Sequence, residues 1–225
     1  MKRTSSQKTG NWLTQTVFDE LESTSHPDVA PVKEDGEMPR HILEGIRDIN
    51  VTAIDALKWA AQDSSRFPLD PSLRLTIGSL GAGQTAAIAN CGLLLIEIES
   101  WVSVKSLPKE SHTSEPAAQW LPPAEARALA ARVVLLAWHA CQLSGSAGIV
   151  LGCSASAARR LCATPIVDLP VLVELAAAKL QIRWARRVGL WTRLLGAAAQ
   201  SSKSRSMDIR VWALRCDTEE RGNLK

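Results

Sequence analysis

The residues with the clearest capacity for chemistry are basic and lie in the last third of the chain. If residues 173–195 form one helix, at about 100° of rotation per residue, its lysine and arginines share an arc of about 120°. We name this set the basic stripe: Lys179, Arg183, Arg186, Arg187 and Arg193. Such a face suits phosphate contacts, because each neutralised phosphate releases condensed counterions. The basic stripe predicts binding to DNA or to an acidic partner; the alternatives are a solvated helix face and a helix on an anionic membrane surface.

The positive charge of the chain is concentrated in the same region. The formal net charge is only +3, but residues 124–225 contain 15 basic and 7 acidic side chains. Residues 1–101 contain 9 basic and 14 acidic ones. A basic module of this kind points first to nucleic acid and second to an acidic partner.

Three tryptophans accompany the basic residues. Trp184 and Trp191 fall on the apolar side of the same predicted helix, and Trp212 follows it. Large aromatic residues on such a face are typical of a protein core or of an interface, and stacking on unpaired bases is the alternative. We therefore assign Trp184, Trp191 and Trp212 to a partner interface.

Residue types that carry catalysis or bind metals are present without the required spacing. None of the four histidines has metal-ligand spacing with a cysteine. His139 and Cys141 are two residues apart, so on a helix they point in different directions and do not form a nucleophilic pair. The glycine-rich residues 78–83 lack the P-loop lysine. We predict a protein that is not an enzyme and that uses no metal and no cofactor.

The composition predicts helices as the elements that position these side chains. Of the 225 residues, 46% are hydrophobic, tyrosine is absent and phenylalanine occurs twice, so residues typical of sheet cores are scarce. No apolar run approaches the roughly 20 residues of a membrane-spanning helix. The first twenty residues lack the pattern of a secretory signal. We expect an all-α, cytoplasmic protein without a membrane partner.

The chain divides into five regions. Residues 1–40 are predicted to be a disordered tail, and residues 102–123 form a Pro/Ser-rich linker. Residues 41–101 and 124–185 each show a long helix, a loop, a short helix and an apolar helix. Residues 186–225 are predicted to be a basic C-terminal helical arm. We interpret the two similar regions as an internal repeat, whose units pack on each other as an intramolecular pseudo-dimer.

Within the first unit, particular residues mark the helix boundaries. Apolar residues at intervals of three and four predict a helix from Ile42 to about Gln62. Asp70-Pro71 combines a capping side chain with a proline at the first helical position, and so predicts a helix start. Residues 84–98 are predicted to form one apolar helix.

Short motifs in both units resemble the FlhD family of flagellar transcriptional regulators, which are small helical proteins that dimerise and act with the partner FlhC. In the second unit, residues 146–152 (SAGIVLG) and 168–176 (DLPVLVELA) are similar to the family segments S-A-M-F-R-L-G and T-L-P-Q-M-V-K-L-A. In the first unit, residues 48–50 (DIN) match the family's D-I-N. Residues 84–90 (QTAAIAN) resemble its helix that ends in T-N-Q or S-N-Q.

The resemblance implies DNA contacts through a Phe-Arg pair in the loop after the long helix and through an Asn near the end of the later helix. Phe67 and Asn90 match two of these positions in the first unit, whereas Pro68 replaces the Arg. The corresponding positions of the second unit are Ile149, Val150 and Lys179. The family-type DNA contacts are therefore expected from Phe67 and Asn90 alone.

Two functions follow from these observations. The first is a DNA-binding transcriptional regulator, which acts with an FlhC-type partner to activate flagellar or related genes. The second is a protein-interaction module that binds FlhC or another regulator and modulates it without contacting DNA. The missing Phe, Arg and Asn in the second unit favour the module, and the basic stripe favours the DNA-binding regulator.

Overall fold

Helices make up most of the two ranges that the computed structural model describes, residues 38–102 and 120–199. The first range contains α1 (Arg40–Ala60), α2 (Arg74–Gly78), α3 (Ala82–Ala89) and α4 (Glu99–Val102). The second contains α5 (Pro123–Leu143), α6 (Ala147–Leu151), α7 (Ala155–Ala163), α8 (Leu169–Ala178) and α9 (Val188–Ala199). Strand pairing within these ranges is limited to one isolated antiparallel bridge, so the all-α prediction is confirmed. The predicted tail up to residue 37, residues 103–119 of the predicted linker and residues 200–225 lie outside the described residues.

Helix α1 follows from its apolar periodicity. The predicted face is buried along the whole helix, and the last apolar position, Ala60, is also its last residue. The buried residues of this face are Ile42, Ile46, Ile49, Ala53, Leu57 and Ala60. The removal of this apolar face from water stabilises the helix, as expected for an amphipathic helix on a core.

The predicted helix start at Asp70-Pro71 is confirmed. The Asp70 carboxylate accepts a hydrogen bond from the backbone N–H of Ser72 at 2.9 Å. The short 3-10 turn Pro71–Leu73 begins there and continues into α2. Pro71 occupies a first-turn position where its missing N–H costs no hydrogen bond.

Helices α1 and α5 are both 21 residues long, and they pack against each other in antiparallel directions. The ring centres of His41, at the start of α1, and His139, near the end of α5, are 5.6 Å apart. Farther along, Arg132 donates a hydrogen bond to the Thr52 hydroxyl at 2.8 Å. We refer to residues 38–102 as the first half and to residues 120–199 as the second half. Each long helix also packs on a later helix of its own half, α1 on α3 and α5 on α8.

The predicted helix over residues 84–98 is wrong after Ala89, where α3 ends. Gly92 follows in the left-handed region, with φ of 74°, which glycine adopts without steric cost. The buried side chain of Asn50 then holds the extended chain by accepting from the Leu95 N–H at 2.9 Å and donating to the Leu93 carbonyl at 2.8 Å. Hydrogen bonds to α1 thus replace those that a longer helix would have made.

The predicted helix over residues 173–195 is also wrong. Helix α8 ends at Ala178 and α9 begins at Val188. Between them the chain runs antiparallel to the segment after α3: Glu97 donates its N–H to Gln181 at 2.9 Å, and Arg183 donates its N–H to Leu95 at 2.7 Å. Pairing between the two halves therefore overrides the local preference for helix, as tertiary context often does.

Helix α9 belongs to the core, which corrects the prediction that the C-terminal arm begins at residue 186. It packs on α3 and on the 3-10 turn Pro71–Leu73, both in the first half. Its inward side chains are buried: Leu190, Trp191, Leu194, Leu195 and Ala198. The described part of the predicted arm is therefore a packed helix, and residues 200–225 lie outside the described residues.

Candidate functional site

Arg183 is an internal residue, which corrects its assignment as a DNA contact. Its side chain is only 2% exposed. The guanidinium donates to the Leu94 carbonyl at 3.3 Å and lies 4.3 Å from the centre of the Trp184 ring. It also fills the space beside Gly152, where an added Cβ would collide with the guanidinium. The side chain of Arg183 links the two halves through Leu94 and is not accessible to a phosphate.

The two described tryptophans of the predicted partner interface are core residues. Trp184 is 6% exposed and Trp191 is 1% exposed. Trp184 adopts a positive φ of 58° in the turn that leads into α9. Both side chains pack inside the chain itself, so their assignment to a partner interface is wrong. Trp212 lies outside the described residues.

The other members of the basic stripe lie on different elements because the predicted helix is interrupted. Lys179 follows the last residue of α8 and is half-buried, and Arg187 is half-buried in the turn before α9. Arg186 and Arg193 are exposed, one before α9 and one on it. The continuous basic face of a single helix does not exist, and of these residues only Arg186 and Arg193 are exposed to solvent.

The two residues implied by the family resemblance both lie in the first half. Phe67 is half-buried in the loop between α1 and α2, where it packs against the core. Asn90 is exposed immediately after α3. The accessible one of the pair is therefore Asn90.

A groove of about 720 Å³ opens where the end of α1, the start of α5 and the end of α8 meet. The residues that give it chemical character are Trp59, Arg66, Pro122, Pro123, Arg127 and Glu174. Trp59 is 41% exposed, although most large apolar residues of α1 are buried. We refer to this feature as the Trp59 groove.

Two ion pairs form the polar edge of the Trp59 groove. Arg66 lies 3.2 Å from the Asp63 carboxylate and 5.6 Å from the centre of the Trp59 ring. Hydrogen bonds from the side chain and backbone of Ser65, with a smaller effect of Arg66, hold the pKa of Asp63 below its usual value. On the other side, Arg127 lies 2.9 Å from Glu174. The edge therefore presents two guanidinium groups, each next to one carboxylate.

Local sequence patterns do not reveal the Trp59 groove, because its residues come from distant parts of the chain. The position of Trp59 on α1 is a local signal of this surface. Trp59 stands between Leu57 and Ala60, which are both on the buried face of α1, but it lies outside that face. A large aromatic residue outside the apolar face of an amphipathic helix indicates a second contact surface.

Cys141, near the end of α5, is a poor nucleophile. Burial raises the pKa of Cys141 to about 12, with smaller contributions from Cys153 and Cys162. The thiolate is the reactive form, so a thiol with this pKa is inert near neutral pH. Among the described residues, no group of three or more His, Cys, Asp and Glu side chains is arranged to hold a metal ion.

In the described ranges, no single helix is long and apolar enough to cross a membrane. One pair of helical segments, Ala155–Ala163 and Ile166–Ala178, passes the same length and composition test together, with a bend of 103° between them.

Comparisons of the chain with protein-family models, with curated proteins and with solved structures find no match.

Proposed function

We propose that this protein is an FlhD-like, DNA-binding transcriptional regulator that acts with an FlhC-type partner to control flagellar or related genes. In this proposal, residues 41–101 and 124–185 are two FlhD-like units that form an intramolecular pseudo-dimer. The observation that carries the proposal is the antiparallel arrangement of corresponding elements. The equal-length helices α1 and α5 pack in opposite directions, and Ile96 pairs with Ile182 in the antiparallel bridge.

This arrangement is what a two-fold dimer of one unit would produce. In an isologous interface, the same surface of each subunit meets its counterpart, and a helix is antiparallel to its counterpart when the two-fold axis is perpendicular to it. Here α1 meets α5 in that way, and each segment of the bridge follows the helix that packs on the long helix of its own half, α3 or α8. In the proposed pseudo-dimer, the two halves of one chain take the positions of two subunits.

Exposed arginines of the second half support the DNA-binding part of the proposal. Residues 120–199 contain nine basic and three acidic side chains. Four of the exposed basic groups are Arg159, Arg160, Arg186 and Arg193. Contacts of this kind position a protein on the DNA backbone, and we propose that the FlhC-type partner reads the base sequence.

The test is a mobility-shift titration of promoter DNA with the complex of this chain and an FlhC-type protein. The double variant Arg186→Ala with Arg193→Ala should bind more weakly and depend less on salt, with the slope reduced by about 1 for each lost phosphate contact. Arg40→Ala is the matched control, because Arg40 is 91% exposed but lies on α1 and pairs with Glu44. Equal affinities and slopes for the double variant and the wild type would exclude a DNA contact at these arginines.

The second candidate is a module that binds the FlhC-type protein without contacting DNA. The burial of Arg183 favours it, because the continuous basic stripe on which direct DNA binding was predicted is absent. In the same titration, such a module would form the protein complex and abolish the shift that the partner produces alone. A regulator of the first kind would strengthen that shift.

A further inference from the structure

We propose that the Trp59 groove binds a short acidic protein segment, one that places a carboxylate next to an apolar side chain. The inference rests on the lining of the groove. Binding at the Trp59 groove requires neither DNA binding nor an FlhC-type partner, so its test is independent of the proposed function.

The floor and walls of the groove suit an apolar side chain. Its lining includes the buried residues Leu121 and Ala126 together with Pro122 and Pro123. Trp59 adds a large, partly exposed ring to the groove lining. Tryptophan is enriched among the residues that dominate protein interfaces, and it loses little conformational freedom on binding. A volume of about 720 Å³ is large enough for one or two side chains of a partner, since ligand sites typically measure about 300–1,000 Å³.

The edge of the groove suits a carboxylate. The Arg66 side chain is 50% exposed and the Arg127 side chain is 65% exposed, although each already lies beside one carboxylate. A guanidinium has five N–H donors. An additional carboxylate can therefore bind to either arginine without breaking its existing ion pair, and a carboxylate is the planar acceptor that matches the guanidinium fork.

The same edge favours an acidic protein segment over single-stranded nucleic acid. Asp63 and Glu174 accompany the two arginines and would repel the closely spaced charges of a phosphate backbone. The Arg66 guanidinium also lies over the Trp59 ring, so that face of the ring is not open to a stacking base. A single side-chain carboxylate avoids most of this repulsion.

The experiment selects peptides on the full-length protein. A display library of random twelve-residue peptides is enriched on the wild-type protein. The enriched peptides are then labelled with fluorescein, and their binding is measured by fluorescence polarisation. We expect Asp or Glu next to Leu, Phe or Trp in the enriched sequences. Trp59→Ala and Arg127→Glu should each weaken binding about tenfold or more, which corresponds to about 1.4 kcal/mol.

Controls separate loss of the groove from loss of the fold. Arg159→Ala removes an exposed arginine on α7, outside the groove lining, and should leave peptide binding unchanged. Arg127→Glu changes a side chain that is 65% exposed, so the thermal midpoint should stay close to that of wild type. The proposal is overturned if the selected peptides lack acidic residues, or if they bind both groove variants as tightly as wild type. It is also overturned if labelled oligothymidine binds wild type and is lost in both groove variants, because the groove would then be a nucleic-acid site.

Discussion

The carboxylate of Glu99 accepts two hydrogen bonds from Ser154, one from the backbone N–H at 2.7 Å and one from the hydroxyl at 2.8 Å. Glu99 is the first residue of α4, whereas Ser154 is the N-cap of α7. The Ser154 hydroxyl also accepts a hydrogen bond from the Ala157 N–H at 3.1 Å. A negative charge at a helix N-terminus is favourable because of the helix dipole. This contact therefore joins the two halves at a helix cap.

We expect Glu99→Ala to lower the free energy of unfolding by about 1–3 kcal/mol, because the variant removes two charge-assisted hydrogen bonds at a partly buried cap. Urea denaturation followed by circular dichroism measures this change. Glu44→Ala is the matched control. Glu44 pairs with Arg40 on the solvent side of α1, and an exposed pair of this kind contributes only about 0–1 kcal/mol. Equal effects of the two substitutions would show that the link between Glu99 and Ser154 adds nothing to stability.

Gly152→Ala should be strongly destabilising for two reasons. Gly152 has φ of 72°, a left-handed conformation that costs other residues about 1–2 kcal/mol. Its added Cβ would also displace the buried guanidinium of Arg183. Gly196→Ala is the control, because Gly196 is exposed on α9 and an added Cβ would have no neighbour within 4 Å. That change should stabilise the helix by about 0.4–1 kcal/mol. Opposite shifts of the thermal midpoint are expected, and shifts of the same sign would contradict the position of Arg183.

Asp70 should make the stability of the fold depend on pH in the acid range. Hydrogen bonds from the side chain and then the backbone of Ser72 hold the pKa of Asp70 below its usual value. The ionised form therefore stabilises the folded state above the unfolded-state pKa of about 3.9, and this contribution is lost as the pH falls through the folded-state pKa. We expect Asp70→Ala to lower the thermal midpoint at neutral pH, and the difference from wild type to shrink in acid. A difference that stays constant over the whole pH range would contradict the capping role of the ionised carboxylate.

Sequence patterns predicted those parts of the fold in which local and tertiary preferences agree. The apolar face from Ile42 to Ala60 and the cap at Asp70 are local features, and both form as predicted. Residues 173–195 also look helical when read alone. Whether they form one helix depends on residues 94–98, which lie some eighty positions earlier. The backbone of residues 94–98 offers hydrogen-bond partners to the extended chain. A helical wheel contains no information about such a partner.

The candidate site shows the same limit. A helical reading of residues 173–195 places Arg183 beside other basic residues, whereas the pairing between the halves buries it against Gly152 and Trp184. Local patterns do not predict the Trp59 groove, because Trp59 and Arg127 come from different halves and meet only when α1 and α5 pack together. Local spacing therefore identifies basic and aromatic residues that could bind a ligand. It does not identify which of them lie on the same surface of the folded protein.

The Cys141 thiol should resist alkylation in the folded protein. Burial raises its pKa to about 12, so the reactive thiolate is scarce at about pH 8.5, the pKa of an ordinary thiol. Treatment with iodoacetamide at that pH, followed by peptide mass spectrometry, should leave Cys141 unmodified. The same treatment in urea should modify it, which provides the internal control. Rapid modification of Cys141 in the folded protein would contradict the raised pKa of this partly buried thiol.

We propose that the two halves of one chain take the places of two subunits. Cutting the chain between the halves tests it directly. A protease site is placed within residues 103–119, the folded protein is cleaved there, and the product is examined by native mass spectrometry. We predict one species that contains one copy of each fragment, held together by α1 against α5 and by the pairing of Ile96 with Ile182. Separation of the fragments, or pairing of each fragment with a second copy of itself, would contradict the claim.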